Sequence, residues 1–379
     1  MIARSILIHP TRFVLFALVA VAGACGRQDD RAPARADARN GGTARDRVAA
    51  RVDARVARFL RQTYVPGVSV AVIRGRDTLV LRGYGMADVE KRIAATERTV
   101  YPIASLTKQF TAAAVMRLVE EGRLSLDDSI GRHLSGLPAP WRGVRVRQLL
   151  NHTSGLPDSP LVLAREVPPD TVIARAMREP PLAAPGTAFS YNNVGYLLLG
   201  RLIERVSGEP YGRYVETRIL APNGLASTRM CRREATAQPR AAGYVVHDTT
   251  VVDAPADALG PRFAAGGLCS TVGDLAAWNR ALASGRVVSP ASWARMTTPE
   301  GAARGAAYGY GVSVRPLDGH RMVAHGGAQR GFQAANARLP DDSLSVTVLT
   351  NFGPEDPGTL LLDIVRIVLA DSASASARR

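Results

Sequence analysis

Ser105 and Lys108 stand three positions apart in Ala104-Ser105-Leu106-Thr107-Lys108-Gln109-Phe110. Of the 48 basic residues only two are lysine, Lys91 and Lys108; the rest are arginine. Arginine stays charged (pKa above about 12), whereas a desolvated lysine can lose its proton. A chain so biased toward arginine keeps a lysine readily where a proton must be moved. At the start of a helix, Ser-x-x-Lys places a hydroxyl and an amine about one turn apart on one face. A serine nucleophile and its amine base need that spacing. Alone, so short a match is weak, because serine is common.

The elements that must position this pair follow from periodicity. Val48, Val52, Val56, Phe59 and Leu60 keep a helical period from Asp46 until Pro66-Gly67. Residues 68–73 and 78–81 read as strands joined by the turn Arg74-Gly75-Arg76-Asp77. Phe110, Ala114, Val115, Leu118 and Val119 continue a helix past Lys108 until Gly122. Helical patterns at 146–150, 171–177, 194–206 and 275–282 fill the middle third. Strand patterns return at 308–314, 322–324, 332–339 and 344–349, and an apolar helix at 360–369 precedes a polar tail. This order predicts an α+β fold over residues 46–371. An antiparallel sheet with flanking helices is built from both chain ends (46–110 and 300–371), and a mainly helical lobe (111–299) is inserted between them. Residues 372–379 are expected to be disordered.

The 379 residues carry a formal charge of +15. Residues 1–62 hold 12 arginines against five aspartates, and the remaining excess is scattered. A nucleic-acid footprint is clustered, so no nucleic acid is expected as partner. Arg4 and Arg12 precede a short apolar stretch, Phe13 to Ala24. It is too short to span a bilayer comfortably, so residues 1–25 read as a secretory signal. Ala22-Gly23-Ala24-Cys25 resembles a lipoprotein processing site, with alanine where leucine is usual three positions before the cysteine. Lipid attachment to a membrane through Cys25 is the expectation, against simple cleavage and release. Residues 26–45, poor in large apolar side chains, read as a flexible linker. Export to the periplasm or cell envelope follows from either outcome. Cys231 and Cys269 remain, an even pair in an oxidising compartment; their spacing leaves a disulfide and two buried thiols equally open.

Two further segments keep company with the tetrad: Ser190-Tyr191-Asn192-Asn193 before a helix, and His325-Gly326-Gly327-Ala328 ending an apolar strand. Ser105-x-x-Lys108, Tyr191-x-Asn193 and His325-Gly326-Gly327, in this order, resemble the serine β-lactamase and penicillin-binding-protein superfamily. The nearest resemblance is to its class C β-lactamase-like branch, which includes esterases, D-aminopeptidases and DD-peptidases. Residues 147–156, 265–271 and 308–311 extend the likeness, which covers roughly residues 46–370. The resemblance implies Ser105 as nucleophile, with Lys108 and Tyr191 as a coupled base pair. Lys108 can serve only with a pKa well below about 10.4, and Tyr191 could act as a phenolate held down by Lys108. Asn193 would bond Lys108 and the substrate amide. His325, Gly326 and Gly327 would line the substrate, with glycine at 327 allowing close approach. The backbone N–H groups of Ser105 and Ala328 would form the oxyanion hole.

Asn193 also reads as a helix N-cap, His325 as an ordinary strand-end histidine, and His152 as the brace of a turn. No His-x-His or His-Glu-x-x-His set is present, so no metal and no cofactor are expected. Gly67-Val68-Ser69-Val70-Ala71 and Gly311-Val312-Ser313-Val314-Arg315 both break the Gly-x-Ser-x-Gly elbow. Many β-lactamases carry Lys-Thr-Gly where this chain has His325-Gly326-Gly327. Histidine is mostly neutral at pH 7, so a substrate carboxylate loses its cation unless Arg330 supplies one. An exported hydrolase of ester, amide or D-amino-acid peptide substrates is expected, taking a small molecule or peptide. The rivals are a DD-carboxypeptidase or β-lactamase and, from another class, a non-catalytic peptidoglycan-binding envelope protein.

Overall fold

The computed structural model describes residues 43–159, 167–231, 239–254 and 263–376. The expected signal, Cys25 and nearly all of the expected linker lie outside these residues. Thr43 caps α1 (Ala44–Gln62): its hydroxyl accepts from Asp46 N at 3.2 Å, and the Asp46 carboxylate accepts from Thr43 N at 3.0 Å. The reciprocal pair satisfies two amides that a helix start leaves open. Val48, Val52, Val56 and Phe59 form the buried stripe.

Strands β1 (Gly67–Arg74), β2 (Asp77–Asp88) and β3 (Ile93–Ala94) come from the N-terminal part of the chain. Short strands follow: β4 (Tyr101–Pro102), β5 (Arg229–Met230), β6 (Tyr244–His247), β7 (Thr250–Asp253) and β8 (Leu268–Ser270). Then come β9 (Ser313–Leu317), β10 (His320–Gln329), β11 (Phe332–Leu339) and β12 (Leu344–Thr350). Among the described residues a seven-stranded antiparallel sheet has the order β3-β2-β1-β12-β11-β10-β9. The two chain ends meet at its centre, with Val70 opposite Val348. This is the α+β architecture expected from the sequence.

Side chains alternate across the sheet with period two. Val68, Val70, Val72, Val346 and Val348 face α1 and α11 (Gly358–Ser376), whose Leu360, Ile364 and Val368 are buried. Ala71, Ile73, Ala334 and Leu349 join the opposite cluster, shared with α2 (Thr107–Glu120) and the helical lobe. That lobe contains α3 (Ala139–Arg142), α4 (Val146–Leu150), α5 (Pro169–Ala176), α6 (Asn193–Ser207), α7 (Tyr211–Tyr214) and α8 (Phe263–Gly266). Helix α9 (Val272–Ala283) packs against β1 and β12 instead, and α10 (Pro290–Met296) follows it. The reading of 111–299 as one lobe therefore splits at α9: periodicity shows that a face is buried, not what buries it.

Two expected elements differ. Residues 308–314 form a turn with one bridge, Tyr308 to Ser313, and the strand begins at Ser313. The Tyr-Gly-Tyr-Gly alternation mimics a strand period. Gly311, at φ +72°, is needed because a Cβ there would stand 2.6 Å from the Lys108 carbonyl. The final helix also runs on to Ser376, past the expected end at 369. Its alanines favour helix, and Arg74 donates to the Ser372 hydroxyl from the end of β1. Cys231 and Cys269 are joined in a disulfide that ties the end of β5 to β8.

Candidate active site

Ser105 sits in a 3-10 turn, Ala104–Leu106, between β4 and α2. Strand β8 pins the turn from both sides: Ile103 N donates to Leu268 O at 3.0 Å, and Leu268 N to Thr107 Oγ1 at 3.1 Å. Ala104 holds φ +44°, a left-handed conformation that costs a residue with a Cβ about 1–3 kcal/mol. The strain lies on the residue before the nucleophile and is maintained by this pinning.

Lys108, on the first turn of α2, is fully buried. Its Nζ lies 3.2 Å from Ser105 Oγ, 2.9 Å from Asn193 Oδ1 and 2.8 Å from the Ala265 carbonyl. The Ala265 carbonyl belongs to α8, which approaches α6 closely at Gly200. A Cβ there would meet the Phe263 ring at 2.3 Å and the Ala264 Cβ at 2.7 Å.

Asn192, not Asn193, caps α6: its side chain accepts from Gly195 N at 2.6 Å. The cap leaves Asn193 free to face Lys108. Asn193 Nδ2 donates to Asp158 Oδ2 at 3.0 Å, and Val194 N donates to Asp158 Oδ1 at 3.1 Å. Asp158 thus orients the amide so that its oxygen points at the lysine. No motif marked this aspartate, which follows Leu156-Pro157 in the loop after α4.

Tyr191 is 39% exposed, so its ring lines an open rim, while Lys108 Nζ lies 4.8 Å from the ring centroid. Burial around its hydroxyl pushes the Tyr191 pKa above the ordinary phenol value, Asp158 adds to the rise, and a hydrogen bond with Ser105 opposes it. A resting phenolate is therefore disfavoured. His152 packs beneath, its ring 4.3 Å from Tyr191 and 4.8 Å from Tyr308. At φ +60° it braces a turn: its carbonyl accepts from Ser190 N at 2.9 Å and its Nδ1 from Asn192 N at 3.1 Å. Burial first, then Lys108 and His325, hold its pKa well below the usual histidine value.

Strand β10 closes the opposite side. A Cβ at Gly327 would stand 2.2 Å from the Ile103 carbonyl and 3.3 Å from Ser105 N, so this strand presses on the nucleophile turn. The register then puts Ala328 next along the strand, opposite Gln333. His325 Nδ1 faces the Gly326 carbonyl at 2.5 Å, and its Nε2 lies 2.8 Å from Tyr308 Oη. A carbonyl only accepts, so Nδ1 carries the proton and Nε2 accepts from the tyrosine. Burial, then the Lys108 charge, lower its pKa to about 4. Arg330 is exposed on the β10–β11 turn. Ser105, Lys108, Tyr191, Asn193 and the 325–328 strand segment are thus brought around one centre; Cys231 and Cys269 tie strands behind it.

A β-lactamase family model matches residues 52–370. Protein flp of Staphylococcus aureus (strain COL) is 30% identical over 51% of this chain and 40% of its own length. A D-aminopeptidase of Brucella ovis is 30% identical over 76% of this chain and 56% of its own. The chain thus spans less than two thirds of the length of these curated relatives. Among solved structures, the octameric penicillin-binding protein homologue from Pyrococcus abyssi superposes with TM-score 0.77 at 29% identity, covering 85% of this chain and 77% of that one. The D-amino acid amidase from Ochrobactrum anthropi SV3, complexed with L-phenylalanine amide, gives 0.73 at 26% identity, covering 88% and 100%.

Proposed function

The chain belongs to the β-lactamase family, and from that membership we propose that it is a serine hydrolase acting through a covalent acyl-enzyme on amides and peptides of D-amino acids. The carrying observation is the position of Lys108 Nζ among Ser105 Oγ, Asn193 Oδ1 and the Ala265 carbonyl. A neutral amine donates its two protons to the latter pair, which in this orientation only accept. Its lone pair then takes the proton of the Ser105 hydroxyl, 3.2 Å away. Ser105 Oγ bonds the substrate carbonyl carbon while Lys108 takes that proton. The oxyanion is held by the N–H groups of Ser105 and Ala328, each worth about 3 kcal/mol. As the C–N bond breaks, the proton passes by way of Tyr191 to the leaving amine. Water then gives a proton to the same base and attacks the acyl carbon; as the acyl–Oγ bond breaks, the base returns that proton to Ser105 Oγ and the carboxylic acid leaves. Tyr191 acts as a protonated relay, in keeping with its raised pKa.

The preference for amides rests on β10. His325 is neutral and both its nitrogens are engaged within the protein, so it offers no cation to the carboxylate of a penicillin or a D-Ala terminus. An amino-acid amide carries no such carboxylate. The D-aminopeptidase relative and the D-amino acid amidase structure support the same substrate class. Export is part of the proposal, supported by the apolar N-terminal stretch and by a disulfide of the kind oxidising compartments maintain.

The test is hydrolysis of D- and L-phenylalanine amide, nitrocefin and a D-Ala-D-Ala peptide, beside fluorophosphonate labelling. Labelling that disappears in Ser105→Ala, with the D-amide turned over at least about tenfold faster than the other three, is expected. No labelling of the native protein would sink the mechanism; faster nitrocefin or D-Ala release would sink the substrate class.

A further inference from the structure

A cavity lies at the far end of the sheet from Ser105, between the C-terminal half of α9, Trp293 of α10 and the ends of β1, β11 and β12. Its volume of about 330 Å³ is at the lower end of the range for small-molecule sites. Arg338 lines it and is only 7% exposed. Its Nη1 is sealed from solvent and has no hydrogen-bond partner among the described residues. Burial lowers its pKa to about 10, and among the described residues no carboxylate forms an ion pair with it. The guanidinium is therefore charged at neutral pH, and buried charges are ordinarily paired. The Trp293 ring, 4.7 Å from the guanidinium carbon, stabilises it in part but supplies no anion.

The rest of the lining has the same bias. Arg280 contributes a second cation, whose side chain makes one long hydrogen bond among the described residues, to Thr78 Oγ1 at 3.4 Å, and no described Asp or Glu lines the cavity. Asn279 adds an amide, while Leu282, Leu344 and the face of Trp293 are apolar. Two cations without an acid, beside an apolar wall, match an anion with a compact hydrophobic body. Guanidinium groups bind carboxylates by paired N–H donors.

We infer that this cavity is a binding site for a small organic carboxylate, separate from the catalytic centre, with Arg338 as its principal partner. The charge would be neutralised by the carboxylate and the body would lie against Trp293 and Leu282. The site would bind its ligand whether or not Ser105 is catalytic.

The test is calorimetric titration of the full chain with benzoate, with neutral benzamide and with inorganic phosphate, repeated after Ser105 is blocked by a fluorophosphonate. Benzoate should bind saturably at one site, unchanged by the block, and at least tenfold more tightly than benzamide. Arg338→Met should weaken benzoate at least tenfold, and Arg280→Gln several-fold, while amide hydrolysis stays within twofold of wild type. Should Arg338→Met not fold, the Arg280→Gln titration and the benzoate–benzamide comparison decide. No saturable benzoate binding, equal binding of benzamide, loss of binding on blocking Ser105, or benzoate affinity unchanged in the variants would each overturn the site. Tighter binding of phosphate than of benzoate would overturn the carboxylate assignment.

Discussion

Tyr308 donates its hydroxyl to His325 Nε2 across 2.8 Å, so the imidazole on β10 is occupied by the protein before a substrate arrives. With Nδ1 turned to the Gly326 carbonyl, the ring is a neutral structural partner joining the Tyr308 turn to the strand.

The first prediction concerns acid. His325 and His152 both have folded-state pKa values below the unfolded value of about 6.5, His325 near 4 and His152 held well below the usual histidine value by burial. Between these limits the unfolded chain binds protons that the folded chain refuses, so stability present above pH 6.5 is lost as pH falls toward 4. Denaturant midpoints measured from pH 7 to 4 should decline, and His325→Gln should make that decline shallower. A His325 ring resonance titrating near 6.5 would contradict the geometry.

Neighbouring glycines on β10 should behave oppositely. A Cβ at Gly327 would collide with the Ile103 carbonyl at 2.2 Å, whereas one at Gly326 meets nothing closer than the Ala334 carbonyl at 3.8 Å. Gly327→Ala should lower acylation at least about 100-fold by lifting the strand from the oxyanion position, and should reduce Tm by several degrees. Gly326→Ala should stay within about threefold on both measures.

Replacing Lys108 with arginine should abolish the proposed proton transfer by putting a permanent cation where an unprotonated amine must act. Its Nζ already touches three acceptors in a closed space, and a guanidinium does not accept a proton. Fluorophosphonate labelling should slow more than about 100-fold, read against a circular-dichroism control for folding. Labelling near the wild-type rate would remove Lys108 from the mechanism.

Asp158 is predicted to be a positioning residue. It accepts from Asn193 Nδ2 and Val194 N, so Asp158→Ala should lower kcat about tenfold and stability by about 1 kcal/mol. Asp158→Asn, whose side-chain oxygen still accepts one of the two, should restore most of the stability and part of kcat. A kcat unchanged in the alanine variant would mean that Asn193 holds its place without help.

Much of this protein could be read from its residues. Ser105 and Lys108 are identifiable by side-chain type and spacing, and Tyr191, Asn193 and His325 through the family resemblance of their motifs. That both chain ends supply one antiparallel sheet followed from the order of helix and strand patterns along the chain. Distances across space were not in the spacing. Asp158, the Ala265 carbonyl and the Tyr308–His325 bond reach the centre only after α6, α8 and the 308–311 turn have packed, and a backbone carbonyl carries no residue signature at all. The same holds for Asn192 taking the cap that Asn193 was equally suited to take, for the pairing of Cys231 with Cys269, and for Arg338, which looks like any other arginine until β11 buries it. Local sequence specifies which groups can do chemistry; which of them meet, and which charges lose their solvent, is decided by long-range packing.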